Sequence, residues 1–176
     1  MSAADVAIRP LAMGELPAYK ALRDAVLAAF PEAFTSDAEA ERARPAESYA
    51  GRVGGILAPG RHITLAAWDD TTLVGAISCE REARAKARHI GHLVGMMVDA
   101  GHQGRGIGRA LLAACIAVAR RTPDVELLTL SVTAGNASAT ALYERAGFVR
   151  YGSLPRAIRV GDRYHAKDLM ALALRP

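Results

Sequence analysis

Residues 101–112 read GHQGRGIGRALL, with four glycines in eight positions, two arginines among them and an apolar helical run following at once. Bare backbone at the head of a helix suits an anion. Glycine adopts positive φ and lets a ligand approach with no Cβ in the way, and the unpaired N–H groups of the first helical turn converge on it with the helix dipole behind them. The plainer reading of the same residues is a flexible strand-to-helix turn with no ligand. Two phosphate motifs are excluded. A Walker A loop ends in Lys and then Ser or Thr, where this chain has Gly108, Arg109 and Ala110. The dinucleotide fingerprint, counted from Gly104, needs Gly or Ala where Arg109 stands. What fits is Gln103–x–x–Gly106–x–Gly108, with Gly104 and Ile107 inside it and Arg105 and Arg109 placed to bring charge to the rim.

The elements that must carry this loop follow from periodicity. A short strand is expected at 6–11, then a helix over 15–30, where Leu16, Tyr19, Leu22, Val26 and Leu27 recur at helical spacing until Pro31 stops it. A second helix is expected over 37–53, interrupted near Pro45, its charges read as a solvated face. Gly54, Gly55, Pro59 and Gly60 mark a loop. After it the period becomes two: strands at 63–68 and 73–78 flank an Asp-Asp-Thr turn, and an Arg-rich connection over 80–88 leads to a third at 90–98. The glycine loop comes next, then a helix over 108–121 closed by Pro123, a strand at 125–133, a helix at 136–146 ending at Gly147, and strands at 148–154 and 163–174. The order β-α-α-β-β-β-α-β-α-β-β describes an α/β fold: one domain over 1–176, with a mixed, mostly antiparallel central sheet flanked by helices.

Composition bounds the partners. Of 176 residues 51% are hydrophobic and 23% charged, which is ordinary for a globular chain long enough to bury a core. The net charge of +4 favours an anionic partner without identifying it. Aromatics are 5% and never interleave with a basic block, which argues against nucleic acid. Cys79 and Cys115 stand alone among apolar neighbours and read as core thiols; no Cys/His spacing suggests a metal. The first residues lack a signal peptide's basic and apolar regions, and no apolar run approaches the ~20 residues that span a bilayer. A cytoplasmic protein with no membrane contact is expected.

With its flanking strand and helix, the glycine loop resembles the acyl-coenzyme A binding signature of the GNAT N-acetyltransferase superfamily. The segment NASATALYERAGF at 136–148 resembles that superfamily's second signature, an Asn, a helix carrying Leu-Tyr-Glu, then Gly-Phe. The strand order and the spacing between the segments are similar too. Gln103 departs from the Arg found in many members, and is a common variant there. The resemblance implies an acetyl-CoA-dependent N-acetyltransferase, with acetyl-CoA as co-substrate, no metal, and direct attack by a primary amine in a ternary complex.

Such a transfer needs a neutral amine, a stabilised oxyanion and a protonated leaving thiolate. The resemblance assigns the oxyanion to main-chain N–H groups at Met96, Met97 and Val98, on a strand that splays from its neighbour, with Gly95 easing a bulge. It gives the loop residues Gln103, Gly104, Arg105, Gly106, Ile107, Gly108 and Arg109 to the cofactor, together with Asn136, which can equally cap its helix. Tyr143 lies seven residues after Asn136, nearly two turns on and so on the same face. By resemblance it contacts the cofactor and protonates the thiolate, a modest uphill step from a phenol near pKa 10 to a thiol of roughly 8.5. For the base two residues compete: His92, whose ordinary pKa near 6.5 suits proton removal, and Glu80, acting through water. Either can instead be a satisfied polar residue on a sheet face.

The acceptor, a small-molecule or a protein amine, should enter between the first two helices and the late strands. Glu32 and FPEAF at 30–34 are expected to line its pocket, with Arg156, Arg159 and Tyr164 on the acceptor side or merely on the surface. A non-catalytic module that binds or senses coenzyme A on the same scaffold is the alternative, and a small nucleic-acid binder a weaker one. Many relatives of this kind are homodimers, but no exposed apolar stripe is legible here to demand one.

Overall fold

The computed structural model describes residues 6–175. Its elements are β1 (Ala7–Pro10), α1 (Leu16–Ala29), α2 (Ala38–Arg42), β2 (His62–Asp69), β3 (Thr72–Arg81), β4 (Ile90–Val98), α3 (Ile107–Arg121), β5 (Leu127–Thr133), α4 (Ala137–Arg145), β6 (Val149–Val160) and β7 (Arg163–Ala173). This is the expected order. The seven strands form one sheet, β1-β2-β3-β4-β5-β7-β6, in which every neighbouring pair is antiparallel except β4 and β5.

That parallel pair is short. It runs from Ile90↔Leu127 to His92↔Thr129, and no later β4 residue pairs with β5. On its other edge β4 slips register against β3 between Ala76 and Ser78, beside Gly95 at φ +60. Positive φ at a bulge is where glycine is cheapest. The extra residue inverts the side-chain alternation. Leu93 faces the core layer built with α3, through Ile107, Leu111, Leu112 and Cys115. Met97, an even number of residues later, faces the opposite layer built with α1 and Tyr49. Each face of the sheet thus has its own core, and at the bulge the β4 positions that face the α3 side change from odd (Leu93) to even (Met96, Val98).

The end where β4 and β5 do meet is tied by one side chain. Arg81 is buried and donates to three carbonyls: Nε to Arg88 at 2.7 Å, Nη1 to Leu57 at 3.2 Å and Nη2 to Pro123 at 3.2 Å. Arg88 leads into β4 and Pro123 lies shortly before β5, so a single guanidinium fastens both strand entrances. Cys79 and Cys115 are free, buried thiols, as expected.

The structure departs from the sequence reading in three places. The helix expected over 37–53 shrinks to α2, capped by the Asp37 side chain accepting from Ala40 N at 2.8 Å, followed by a 3-10 segment, Ala46–Arg52, that starts at Pro45. Its charges are not simply a solvated face. Glu41 is only 8% exposed and accepts from Arg23 Nε at 2.8 Å, from Arg44 Nη1 at 3.0 Å and from the Tyr49 hydroxyl. Second, β6 runs on to Val160 instead of stopping before Pro155. It is an edge strand, where a missing N–H is tolerated, and it irons out the proline with a register shift between Leu154 and Ile158 and φ +54 at Arg156. Third, β6 carries an exposed apolar stripe that the sequence did not reveal: Val149, Tyr151 and Leu154 are 69, 63 and 55% exposed. No described helix is long and apolar enough to cross a membrane.

Burial alone would push the Glu41 carboxyl up, but the hydrogen bonds from Tyr49 and Arg23, with the charge of Arg23 and the bond from Arg44, outweigh it and hold the group at about 2. A folded-state value below the unfolded 4.5 means the stabilisation is complete above pH 4.5 and is lost as pH falls through about 2. Glu41→Gln should therefore lose about 3 kcal/mol at pH 7, the usual penalty for stranding one partner of a buried pair. Denaturant melts at a series of pH values check this, and a gap between the two proteins that fails to shrink toward pH 2 contradicts it.

Candidate functional site

Because β4 and β5 part after His92, the sheet opens into a cleft of about 1360 Å³. One wall is the glycine loop, residues 103–109; the floor includes Met96, Met97 and Val98; Asn136, Ala139 and Leu142 form the wall beyond β5. Phe30, Glu32, Phe34 and His165 close the far end.

The loop is built as an anion cradle would be. Gly104 and Gly106 take φ +76 and +81, and Gly106 is the N-cap of α3 with no side chain satisfying the first turn. The free N–H groups of that turn therefore face the cleft, at the positive end of a helix of 15 residues with no acidic residue in its first turn. Gly108 is small for a different reason: a Cβ there would meet Met96 Cε at 3.2 Å and Leu142 Cδ2 at 3.7 Å, so it lets α3 sit close over β4 and α4. The two arginines separate in role. Arg109 is exposed on the rim, whereas Arg105 is held by Asp69 at 3.2 Å, and His102 is drawn to Asp99 at 2.7 Å and Asp69 at 3.6 Å.

Asn136 caps α4, its side chain accepting from Ala139 N at 3.1 Å, while it also lines the cleft. Tyr143 shares its helix but not that wall; Leu142 stands there instead. The Tyr143 ring is 8% exposed in the core, edge-on to Phe148 with centroids 6.0 Å apart. Burial alone pushes its hydroxyl up to about 12, so the proton stays on at any ordinary pH. The step to a thiolate is steeper than the sequence suggested.

The two candidate bases part company. His62, Glu80, His92 and Thr129 are cross-strand partners in one row over β2, β3, β4 and β5. Glu80 lies one strand away from the split and 3.4 Å from His62 Nδ1. His92 stands at the root of the split, with Nδ1 2.6 Å from Thr129 Oγ1 and Nε2 3.4 Å from Glu82. It lines a smaller hollow of about 650 Å³ between the parted strands, with Val94, Ser131 and Tyr151, and not the large cleft.

Beyond the end of α1 the 30–34 segment lines the cleft and is stitched to the late strands. Thr133 Oγ1 donates to the Glu32 carbonyl at 2.7 Å, and Lys167 Nζ to Thr35 Oγ1 at 2.8 Å. Arg156 and Arg159 stack on the Tyr164 ring at 4.0 and 5.7 Å, away from the cleft wall. Sequence reasoning missed several cleft residues, among them two ionisable ones beyond the glycine loop. Arg145 extends the cationic rim from the last turn of α4, and His165 arrives from β7. The first was hidden as a helix-end charge, and nothing in the sequence marked the second.

Comparisons with known proteins bear on this geometry. The model described as "Acetyltransferase (GNAT) family" matches residues 19–148. A mycothiol acetyltransferase from Salinispora arenicola is 30% identical over 138 residues, 77% of this chain and 42% of that protein. One from Salinispora tropica is 37% identical over 70 residues, 40% of this chain and 23% of that one. The chain therefore spans less than half the length of these relatives. Among solved structures, an acetyltransferase of the GNAT family from Streptococcus pneumoniae superposes with a TM-score of 0.84 at 22% identity, over 96% of this chain and 98% of that one. The ribosomal-protein-alanine N-acetyltransferase from Brucella melitensis gives 0.72 at 27%, over 95% and 99%. A Salmonella typhimurium structure that holds acetyl-CoA as its cofactor gives 0.75 at 20%, over 97% and 95%.

The glycines of the loop can be told apart by alanine. Gly104 has open space around a Cβ but φ +76, so Gly104→Ala carries backbone strain and should cost about 1 kcal/mol. At Gly108 the obstacle is the mobile end of Met96, and alanine gains up to ~1 kcal/mol of helix propensity, so Gly108→Ala should be neutral or better. Thermal melts of the two variants give the ranking, and the reverse order would mean that packing and not φ governs the loop.

Proposed function

Because the chain belongs to the acetyltransferase (GNAT) family, we propose that it moves an acetyl group from acetyl-CoA to a primary amine, the amine attacking directly in a ternary complex. The observation that carries this reading is the cleft itself, a split sheet whose rim is the uncapped head of α3 with two left-handed glycines. The residues present fit the cofactor: free N–H groups and arginines suit a diphosphate, and an unpaired strand edge suits an amide-bearing arm. When bound, acetyl-CoA supplies the activated acyl group.

In this reading the amides of the loop, with Gln103, Gly104, Gly106, Ile107 and Gly108, hold the diphosphate. Arg109 and Arg145 add charge from the rim, and Arg105 braces the loop through Asp69. The main chain at Met96, Met97 and Val98 no longer faces a β5 partner, so it is free to hold the thioester carbonyl and the oxyanion that replaces it. Asn136 fixes the start of α4 and presents its amide to the cofactor. Tyr143, kept protonated by burial, serves as the hydrogen-bond donor to the departing sulfur. His92 opens on the smaller hollow at the root of the split, so in this reading it takes the amine's proton indirectly, through the gap between the parted strands; Glu80 is left to His62. Glu32 and His165 face the acceptor.

A second reading has a specific observation behind it. Tyr143 is buried off the cleft wall with its proton held at about 12, which also suits a module that binds coenzyme A without turnover. The relatives' names, mycothiol for one and ribosomal-protein alanine for another, differ too much to carry an acceptor across. A cytoplasmic location belongs to the same reading, as does a homodimer joined through the apolar stripe on β6.

Thiol release from acetyl-CoA, measured against polyamines, aminoglycosides, amino acids and peptides, separates the two readings. Release with at least one amine is expected, and tight binding with none selects the sensing module. With an accepted amine, Tyr143→Phe should lower kcat on the order of 100-fold, while calorimetry finds coenzyme A affinity within about twofold of the parent. Unchanged turnover removes Tyr143 from the mechanism. For His92→Ala the informative readout is the pH profile of kcat/KM. The acid-side inflection of the parent should vanish, and a uniform loss at every pH would make His92 a structural residue.

A further inference from the structure

β5 reads LLTLSVT, and its two faces differ in kind. Leu128, Leu130 and Val132 pack into the core shared with α3. Alternate residues of a strand point to opposite faces, so Thr129, Ser131 and Thr133 set three hydroxyls in a row on the other side. Thr129 and Ser131 line the hollow of about 650 Å³ at the root of the split, and Thr133 lines the large cleft. Across the gap β4 gives His92 and Val94 to the hollow and Met96 to the cleft. One stripe of hydroxyls therefore runs from the first space into the second.

His92 stands at the far end of that stripe. Its Nδ1 is 2.6 Å from Thr129 Oγ1 and its Nε2 3.4 Å from Glu82 Oε1. Glu82 follows β3 directly and is fixed beside β4, where its N–H donates to the Ile90 carbonyl at 3.1 Å. An ionised carboxylate only accepts, so the hydrogen of the neutral imidazole belongs on Nε2, toward Glu82. Nδ1 then carries the free electron pair, and the Thr129 hydroxyl must donate to it. Glu82 keeps its charge for this: the hydrogen bond from Arg84, and in smaller measure that from His92, hold its carboxyl below the usual range. Other charges stay clear. Glu80, the β3 residue opposite His92, lies 3.4 Å from His62. Among the described residues β5, β6 and β7 bring no charged side chain to the hollow, and its other ionisable group is the Tyr151 phenol.

At ~3.3 Å per residue, alternate hydroxyls on β5 lie about 6.6 Å apart, too far for one to reach the next. One or two bridging waters span a gap of that size. Thr133 donates its own hydrogen to the Glu32 carbonyl at 2.7 Å, which leaves its lone pairs to accept.

We propose that Ser131 and Thr129 conduct the acceptor's proton from the cleft to His92, and that Glu82 holds the imidazole in the tautomer that receives it. All three are positioning residues. The inference rests on the acetyl-transfer reading and supplies the path that His92, set back from the cleft, requires. In each transfer an ammonium N–H of the acceptor breaks and an Nδ1–H of His92 forms. Thr129 gives its hydrogen to Nδ1 and takes another from the water on its Ser131 side, so the hydroxyl ends neutral. The amine keeps the electron pair with which it attacks the thioester carbonyl.

Steady-state kinetics with an accepted amine give the first test. Thr129→Val keeps the shape and the strand preference and removes only the hydroxyl. It should lower kcat about 10- to 100-fold with KM within about twofold, and Thr129→Ser should restore most of the loss. Ser131→Val should fall several-fold, and the double variant no further than Thr129→Val alone, because both interrupt one path. The deficits should shrink as pH rises toward the amine's own pKa, where solvent has already taken the proton. Deficits that add, that Thr129→Ser fails to repair, or that hold at every pH overturn the proposal. Full activity in Thr129→Val does so too, and leaves the proton to a group in the cleft such as His165.

Nitrogen-15 spectra of histidine-labelled protein need no turnover. For the neutral imidazole, the signals that His92→Ala removes should be those of an Nε2–H tautomer, and Glu82→Ala should let the Nδ1–H form in. The Nδ1–H form in a parent that turns over overturns the relay and leaves acetyl transfer standing. Where no amine releases thiol, the transfer reading fails whatever the tautomer, and the relay falls with it.

Discussion

The site depends on a failure of pairing. Two parallel strands meet for three residue pairs and then separate, and the cleft, the unpaired strand edge and the access from both faces follow from that separation. Parallel strands in a sheet normally stay together because every N–H and C=O left unpaired is a loss. Here β4 keeps only β3 beyond His92, and even that ladder slips at Gly95. The residues whose backbone groups are freed on that side, Met96, Met97 and Val98, line the cleft. The fold holds this arrangement because two separate cores grip β4, one on each face of the sheet. Neither layer alone would fix a strand whose side chains change allegiance halfway along.

Charge is distributed with the same division. On the α3 side the glycine loop turns its cations and its helix dipole outward toward the cleft rim. On the α1 side one ion pair is inward, with Arg23 4% exposed and Glu41 8%, and the Glu41 carboxylate pinned far below its usual range by its donors. A buried pair of this kind contributes less to stability than its proximity suggests, because desolvation opposes it. Its contribution is geometric: it fixes α1, α2 and the 3-10 segment relative to each other, and so sets the wall that faces the bulge.

Much of this was legible in the sequence, for physical reasons that can be named. The element order could be read because helical and strand periods differ, and Pro31, Pro45 and Pro123 punctuate them. The glycine loop stood out because positive φ restricts composition so sharply, and Gly104 and Gly106 do adopt it. Hidden were the features that depend on contacts across the chain. Glu41 looks like a surface charge until Arg23, 18 positions earlier, folds against it. His165 reaches the cleft only because β7 inserts between β5 and β6. The burial of Tyr143 was obscured because its spacing from Asn136 fixes a helix face but not the depth of the neighbouring Leu142 and Phe148. The apolar stripe on β6 was masked by alternation, which cannot say which face of an edge strand is left uncovered.

Arg81 lies at the end of the sheet opposite the open cleft, yet its three hydrogen bonds fasten the segments that feed β4 and β5. The parted strands behave as the two jaws of a peg sprung from that rivet. The angle between the jaws, and with it the width of the cleft at Met96–Val98, depends on a side chain outside the cleft lining. Geometry in the cleft is in this sense inherited from the far end of the sheet, so a search for functional residues confined to the cleft would pass over one that shapes it.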